Sequence, residues 1–315
     1  MKKVTFGIVN CNRLFYLKSC FESLMETTAD YENKELIVVD NASVEEGTEE
    51  YLKSLELRGV NVIRKTSRDP SNEFAIGLNE IVEKSTGDYL CLLQGDMQFI
   101  LKGWLREVVE FYELNYDVVG TFILDGQRRA RISQNQHQIL KFQENRMPKN
   151  CKNTFFADLS REPVSMAADA IYSRKVLKEM GPWHIKNLNH EGGMDSENEM
   201  RYKVRKMVAE GTMPRYVVAF TSVPQSIAIY TDPRGTQGRV RGNRRYGKYW
   251  EAKDSSKWKY YEYVSLEEFV TDKPHSIEDV ARPIGFEKAV DKNGNWLKNP
   301  VRPETAAPED WVELY

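Results

Sequence analysis

The stretch that decides the fold is ELIVVDNAS at residues 35–43, an apolar run that ends in Asp40 and Asn41. An apolar run of this length between polar residues predicts a buried β-strand. Residues 4–10 (VTFGIVN) upstream and 88–93 (DYLCLL) downstream have the same character. The chain therefore opens with several strands that are apolar on both faces, which is typical of the interior of a parallel sheet.

Helical patterns separate these strands. One apolar stripe at helical spacing consists of Leu14, Leu17, Phe21 and Leu24. Residues 74–82 and 104–112 show similar stripes, and a polar stretch at 44–57 also favours a helix. Further strands are expected at 60–64 and 117–122. This alternation predicts an α/β fold, Rossmann-like, with a mainly parallel sheet and helices on both faces.

In such sheets, ligands bind beyond the carboxyl ends of the strands. The polar residues at those ends are therefore the candidate site residues. They are Asn10, Asn12, Arg13, Asp40, Asn41 and Asp96.

The rest of the chain is less regular. We expect a long loop or lid at 127–152, a strand and helix within 166–180, a helix at 195–210 and a strand at 216–220. The last 85 residues form an extension that consists of a basic segment followed by an acidic one. Residues 231–261 contain nine Lys or Arg and three acids, whereas 262–315 contain twelve acids and six bases.

Composition excludes several classes of protein. The 315 residues are 41% hydrophobic with a net charge of -2, which indicates a globular protein without an overall affinity for polyanions. There is no apolar run of membrane-spanning length and no signal-peptide pattern, so we expect a cytoplasmic protein without a membrane span. The cysteines lack CxxC spacing and are expected to be free thiols; they are Cys11, Cys20, Cys91 and Cys151.

Several motifs together resemble one family. They are the strand and turn GIVNCNR at 7–13, ELIVVDNAS at 35–43, GLN at 77–79, TGDYLCLLQGD at 86–96, SRKVLKEMGPW at 173–183 and GMDSE at 193–197. In order and spacing, this set over residues 3–222 resembles the inverting glycosyltransferases of family 2, which have the GT-A fold. The resemblance implies a nucleotide-sugar-binding half at 1–125, an acceptor-binding half of the same domain at 126–230, and a C-terminal extension at 231–315.

The resemblance also implies a reaction. A monosaccharide would pass from a nucleoside diphosphate sugar, expected to be UDP-linked, to the hydroxyl of a carbohydrate or other acceptor, with inversion. A Mn²⁺ or Mg²⁺ ion would neutralise the charge of the departing diphosphate.

The resemblance assigns roles residue by residue. Asp40 would recognise the base, Asp96 would bind the metal as the last acid of a DxD motif, and Asp195 would be the general base, with Glu197 in reserve. Gln94 replaces the first acid of that motif. Arg64 is a further candidate for a diphosphate contact. The nucleotide-binding set is Asn10, Asn12, Arg13, Asp40, Asn41, Arg68, Asn79, Gln94 and Gly95.

Two other functions stay open at this point. Gln94, Glu73 and Met194 depart from the family pattern, which leaves room for a sugar-nucleotide-binding protein without transferase activity. The basic, aromatic segment 231–261 could instead bind nucleic acid, or close over the diphosphate as a lid.

Overall fold

The computed structural model describes most of the chain up to residue 228 and short strands beyond it. The described residues are 1–12, 14–69, 72–95, 97–124, 139–159, 161, 163–164, 169–185 and 196–228, together with 250–252, 259–262, 264–265, 282–284, 300–301 and 311–313. Arg13, Asp96, Asp195 and the segment 231–249 lie outside them.

Six α-helices lie within the described residues. They are α1 (Leu14–Thr27), α2 (Thr48–Leu57), α3 (Glu73–Lys84), α4 (Trp104–Leu114), α5 (Arg174–Met180) and α6 (Ser196–Ala209). The strands before residue 229 are β1 (Val4–Asn10), β2 (Lys34–Asp40), β3 (Asn61–Arg64), β4 (Tyr89–Gln94), β5 (Met97–Phe99), β6 (Leu101–Lys102), β7 (Val119–Ile123), β8 (Ile139–Lys141), β9 (Phe155–Asp158), β10 (Ala170–Ser173), β11 (Val217–Thr221) and β12 (Ser226–Ala228).

Nine strands form the central sheet, in the order β3-β2-β1-β4-β10-β7-β11-β9-β8. The block β3-β2-β1-β4 is parallel, as is the pair β7 and β11. Strand β10 runs antiparallel between β4 and β7, so its first residue lies at the carboxyl ends of both neighbours. Strands from before and after residue 125 therefore share one sheet.

Two apolar cores cover the two faces of this sheet. Successive side chains of β1 point to opposite faces of the sheet. Phe6 and Ile8 therefore belong to one core and Val9 belongs to the other. Helices α1, α2 and α4 cover the first face, and α3, α5 and α6 cover the second. The predicted α/β fold with helices on both faces is confirmed.

Helix α3 is seated closely on β1. A Cβ atom added to Gly77 would lie 2.9 Å from Val9, and one added to Gly7 would lie 2.2 Å from Ile81. These contacts place the N-terminal half of α3 beside the carboxyl end of β1. The backbones can approach this closely only because neither glycine carries a side chain.

Some sequence expectations need correction. Helix α2 begins at Thr48 and not at Val44. The stretch 127–152 was expected to be a loop, but its described part contains β8 and a 3₁₀ turn at Glu144–Arg146. The pairings of β5, β9 and β12 were not predicted either, because these strands are only three or four residues long.

The described parts of the C-terminal extension are six short strands. They are β13 (Trp250–Ala252), β14 (Lys259–Glu262), β15 (Val264–Ser265), β16 (Arg282–Ile284), β17 (Pro300–Val301) and β18 (Trp311–Glu313). β13 pairs with β18, and β14 pairs with both β16 and β17, so strands of the basic and acidic stretches are neighbours. β15 pairs with β6 of the core.

Two further expectations concern membrane-spanning helices and the cysteines. Among the described helices, none is both long and apolar enough to cross a bilayer. The four cysteines are free, as predicted.

Candidate functional site

Asp40 organises the turn that follows β2. Its Oδ1 accepts hydrogen bonds from Asn10 Nδ2 at 2.9 Å and from the Ser43 hydroxyl, and its Oδ2 accepts one from Ser43 N at 2.9 Å. The residue is 3% exposed. A carboxylate held by three donors fixes the end of β2 against the end of β1.

Asn41 strengthens the same junction. Its backbone N–H and its side-chain Nδ2 both donate to Asn10 O, at 2.9 and 3.2 Å. Ala42, the next residue, has a φ of 52°, in the left-handed region that side chains disfavour. The backbone just beyond the strand therefore has a strained conformation of a kind that is common at functional sites.

Asn12 forms the second turn of the site, beyond β1. It has a φ of 51° and no exposed surface. Its Oδ1 accepts from Val44 N at 2.6 Å and Glu45 N at 3.0 Å. Its Nδ2 is buried and has no hydrogen-bond partner, counting every residue that the structure describes. An unpaired buried donor is costly unless it serves a ligand.

The turn after β4 lies next to this pair. A Cβ atom added to Gly95 would be 3.3 Å from Asn10 Oδ1, so the start of the turn touches the residue that also holds Asp40. Gln94 O accepts a weak hydrogen bond from Cys20 Sγ at 3.7 Å, and Gln94 N donates to Asp169 Oδ1 at 3.3 Å. The next residue in the chain is Asp96, which is outside the described residues.

The structure thus gathers six of the predicted residues at one edge of the sheet. They are Asn10, Asn12, Asp40, Asn41, Gln94 and Gly95. The sequence interpretation missed Ser43, which donates twice to Asp40, and Glu45, whose carboxylate accepts from Leu14 N at the start of α1. The polar cluster that follows β2 was the available signal for both.

Two of the predicted arginines, Arg64 and Arg68, have protein partners. Arg68 forms two hydrogen bonds with Glu73, from Nη2 at 2.6 Å and from Nε at 3.0 Å. Arg64 is held by Glu49 and Glu56 of α2. The Glu73 that departs from the family pattern is therefore the partner of Arg68.

Asn79 makes a clasp inside the protein. Its Nδ2 donates to Trp183 O and its Oδ1 accepts from Trp183 N, both at 2.8 Å. Both ends of the amide are thus bonded to the segment that follows α5. We therefore assign Asn79 to holding that segment and leave it out of the nucleotide contacts proposed below.

Oxygen atoms dominate the edge around Gly95. Asn10 Oδ1 and Val9 O are nearest to the position that a Cβ atom on Gly95 would take, at 3.3 and 3.7 Å. Oxygen ligands suit Mg²⁺ or Mn²⁺, so the donor set fits a hard divalent cation. Within the described part of the chain, no three His, Cys, Asp or Glu residues converge as a complete metal site. A metal at this edge would therefore need ligands from Asp96 and from the diphosphate itself.

A doubly covered α/β sheet with carboxylate and amide groups gathered at the carboxyl ends of its strands is the arrangement in which α/β proteins bind their ligands. The model of glycosyl transferase family 2 matches residues 5–181, more than half of the chain. The chain belongs to that family. The GT-A-like fold expected from the sequence is confirmed.

Two curated proteins are similar to part of the chain. "Putative glycosyltransferase EpsE" of Bacillus subtilis (strain 168) is 34% identical over 136 residues, which are 41% of this chain and 46% of that protein. "Uncharacterized protein y4gI" of Sinorhizobium fredii is 38% identical over 108 residues, 34% of this chain and 11% of that protein. The chain therefore spans less than half of the length of either curated relative.

Among solved structures, S. aureus TarS is similar in fold. Its crystal structure superposes with a TM-score of 0.50 and 14% sequence identity, over 73% of this chain and 37% of that one. At this identity the likeness concerns the fold alone.

Proposed function

We propose that the protein transfers a monosaccharide from a UDP-sugar to an acceptor hydroxyl with inversion, assisted by a divalent metal. The observation that carries the proposal is the contact chain Asp40–Asn10–Gly95. It joins the turn expected to bind the base to the turn expected to bind the diphosphate. A nucleoside diphosphate needs both at one edge of the sheet.

Asp40 keeps capacity for a ligand. A carboxylate has about four acceptor positions, and described residues fill three of them on Asp40. One position on Oδ2 remains for the imino N–H of a uracil-like base. The unpaired Nδ2 of Asn12 supplies a donor at the same edge, which suits a carbonyl oxygen of the base or an oxygen of the ribose or phosphate.

Asp96 would bind the metal, together with oxygens of the diphosphate. The metal supplies neutralisation of the charge that accumulates on the leaving diphosphate. The chain's own contribution is to hold the turn at Gln94 and Gly95 against Asn10 and Asp169. A fixed turn costs little reorganisation when the sugar departs.

Asp195 would take the proton from the acceptor hydroxyl. Residues on both sides of the segment that carries it are anchored on one face of the sheet. Trp183, 3% exposed, is held by Asn79 on one side, and Met200 and Val204 of α6 are buried on the other. Anchors of this kind give a general base a defined position relative to the donor, which catalysis requires.

A binding panel with matched variants tests the proposal. Calorimetric titration with UDP, GDP, dTDP and CDP, each with Mn²⁺ or with EDTA, should show binding of UDP that is strongest with Mn²⁺. Asp96→Asn should weaken binding as EDTA does. Asp88→Asn makes the same chemical change at the other end of β4 and should leave UDP affinity unchanged.

Release of UDP from UDP-sugars on the same preparation tests turnover. Metal-dependent UDP binding without any turnover of the panel of UDP-sugars would support the non-catalytic alternative. Equal affinity for all four nucleotides, with or without metal, would contradict the proposal.

A further inference from the structure

Asp169 is a buried acid that is neither the proposed metal ligand nor the proposed general base. It is 4% exposed and directly precedes β10. Its φ of 69° lies in the left-handed region, which residues with a Cβ disfavour and which Asn and Asp tolerate best after Gly. Strain of this kind persists where the surrounding structure imposes it, and it is common at functional sites.

The contacts of Asp169 reach three parts of the sheet. Its N–H donates to Leu92 O at 2.6 Å, and its carbonyl accepts from Leu124 N at 3.0 Å, just past β7. Its carboxylate Oδ1 accepts from Gln94 N at 3.3 Å. One residue therefore ties the end of β4, the start of the turn beyond it and the end of β7.

The turn at Gln94 and Gly95 depends on such outside support. On one side it is packed against Asn10 Oδ1. On the other side the carboxylate of Asp169 accepts the peptide N–H that leads into Gly95 and Asp96. A hydrogen bond to a carboxylate is stronger than one between neutral groups, more so in a buried position. Burial raises the pKa of the nearby Cys91 thiol, and the negative charge of Asp169 raises it further.

We propose that Asp169 is a positioning residue for the turn Gln94-Gly95-Asp96, and that it acts by holding the Gln94 N–H so that Asp96 meets the metal and diphosphate. This role rests on the proposed function. It also gives a reason for the left-handed backbone, because that conformation brings the N–H, the carbonyl and the carboxylate of one residue to three different strand ends. Gln94 stands in place of the first acid of the DxD motif, so Asp96 is the only acid in Gln94-Gly95-Asp96. Its position therefore matters more than it would in a motif with two acids.

Two substitutions separate positioning from direct metal binding. Asp169→Asn keeps a side-chain oxygen for the Gln94 N–H and tolerates a positive φ, but it removes the charge. Asp169→Gly tolerates the same φ and removes the acceptor. Asn150→Gly is the matched control, since Asn150 is an exposed residue with a φ of 61° on the chain between β8 and β9.

The full-length variants are measured in two ways. Amide hydrogen exchange of the peptide containing residues 94 and 95, without ligand, reports whether the turn is held. Calorimetric titration with UDP and Mn²⁺ reports whether the held turn matters for binding. Asp169→Gly should speed exchange at these amides at least tenfold and weaken UDP–Mn²⁺ binding about tenfold, equivalent to about 1.4 kcal/mol. Asp169→Asn and Asn150→Gly should stay within about threefold of wild type in both measurements.

Several results would overturn the role. Unchanged exchange in Asp169→Gly would show that the carboxylate does not hold the turn. Loss of UDP–Mn²⁺ binding in Asp169→Asn with normal exchange would show that the negative charge itself is used, as in a direct ligand. If Asp169→Gly does not fold, Asp169→Asn decides alone, because retained binding supports positioning and lost binding contradicts it. If the wild type binds no nucleotide, the proposed function fails, while the exchange experiment still tests the contact.

Discussion

The two ends of β2 carry carboxylates in different settings: Glu35 is partly buried at the amino end, and Asp40 is buried at the carboxyl end. At the amino end, Glu35 accepts four hydrogen bonds: from the Thr5 hydroxyl, from the backbone and hydroxyl of Thr86, and from Lys3 Nζ. At the carboxyl end, Asp40 accepts three. A carboxylate has about four acceptor positions, so the residues that the structure describes fill those of Glu35 and leave one on Asp40.

Backbone conformation also distinguishes the carboxyl ends of the strands from their amino ends. Asn12, Ala42 and Asp169 are three of the four non-glycine residues with positive φ in the part of the chain that the structure describes. All three adjoin the carboxyl ends of β1, β2 or β4. Among the described residues, positive φ values and unfilled hydrogen-bonding capacity therefore coincide at the carboxyl edge, whereas Glu35 at the amino end of β2 has its acceptor positions filled. This difference marks the carboxyl edge as the one prepared for a ligand.

The largest effect should come from the reaction itself. Asp195→Asn removes the basic lone pair of the proposed general base while keeping the shape of the side chain. Such a base typically contributes about 10²–10⁴-fold to rate, so turnover of the UDP-sugar should fall at least 100-fold with an unchanged Kd for UDP. Glu197→Gln is the control, since Glu197 lies two residues further on in α6. A near-normal rate in Asp195→Asn together with a large loss in Glu197→Gln would move the base to Glu197.

Glu35→Gln should affect stability and not function. Burial alone would raise the pKa of Glu35, but its hydrogen bonds from Thr5, Thr86 and Lys3 lower it to about 2. A lowered pKa stabilises the fold above the unfolded-state value of about 4.3, and this contribution is lost as the pH falls towards 2. At pH 7 the variant should lose about 2 kcal/mol in the free energy of unfolding.

Urea unfolding at pH 7 and pH 3 checks this prediction. The difference between variant and wild type should shrink at the lower pH, and UDP affinity should not change. Glu32→Gln, at an exposed position three residues earlier, serves as control. A fall in UDP affinity in Glu35→Gln would break the contrast between the two edges.

Asn12→Asp tests the unpaired donor at the carboxyl edge. It keeps the Oδ1 that accepts from Val44 and Glu45 and it tolerates the positive φ, but it removes the Nδ2 donor. We expect UDP affinity to fall about tenfold, or about 1.4 kcal/mol, with little change in thermal stability. Parallel titration with uridine locates the contact. An equal loss for both ligands places it on the nucleoside, and a loss for UDP alone places it at the phosphates. Unchanged affinity for both would exclude Asn12 Nδ2 from the site.

The smallest effect is expected at the Asn79 clasp. Asn79→Ala removes two hydrogen bonds to Trp183 and should cost about 1–2 kcal/mol of stability. Turnover should fall several-fold, because the segment leading towards Asp195 loses an anchor, while UDP affinity stays within twofold. Lys203→Ala removes an exposed hydrogen bond to Pro182 O on the same segment and is the control. A drop in UDP affinity in Asn79→Ala would return Asn79 to the nucleotide site.

The sequence sufficed for the first half of the fold because strand and helix patterns are local. β1, β2 and β4 are apolar on both faces, and the stripes of α1, α3 and α4 recur at helical spacing. The short strands β5, β9 and β12 could not be predicted, since three or four residues do not establish a period. Their existence depends on partners distant in the chain.

The candidate site likewise contains residues that the sequence could place and residues that it could not. Polar residues at the ends of predicted strands, such as Asn10, Asp40 and Asn41, were predicted to lie at the ligand-binding edge, because ligands bind beyond the carboxyl ends of parallel strands. Asn79 was predicted from a motif and Arg68 as a possible diphosphate contact, yet the structure bonds them to Trp183 and Glu73. Which polar group a side chain meets depends on packing between segments, and a motif does not carry that information.

By itself, then, the sequence determined the alternating strands and helices, the polar edge and the family. The reason is that hydrophobic periodicity and short motifs are properties of residues close together in the chain. Tertiary structure alone decided that β10 enters antiparallel between β4 and β7, and that its first neighbour, Asp169, reaches Gln94 from 75 positions away in the chain. A contact over that distance forms only when the sheet closes around it. The strand order, and no local pattern, therefore places the acid beside the turn.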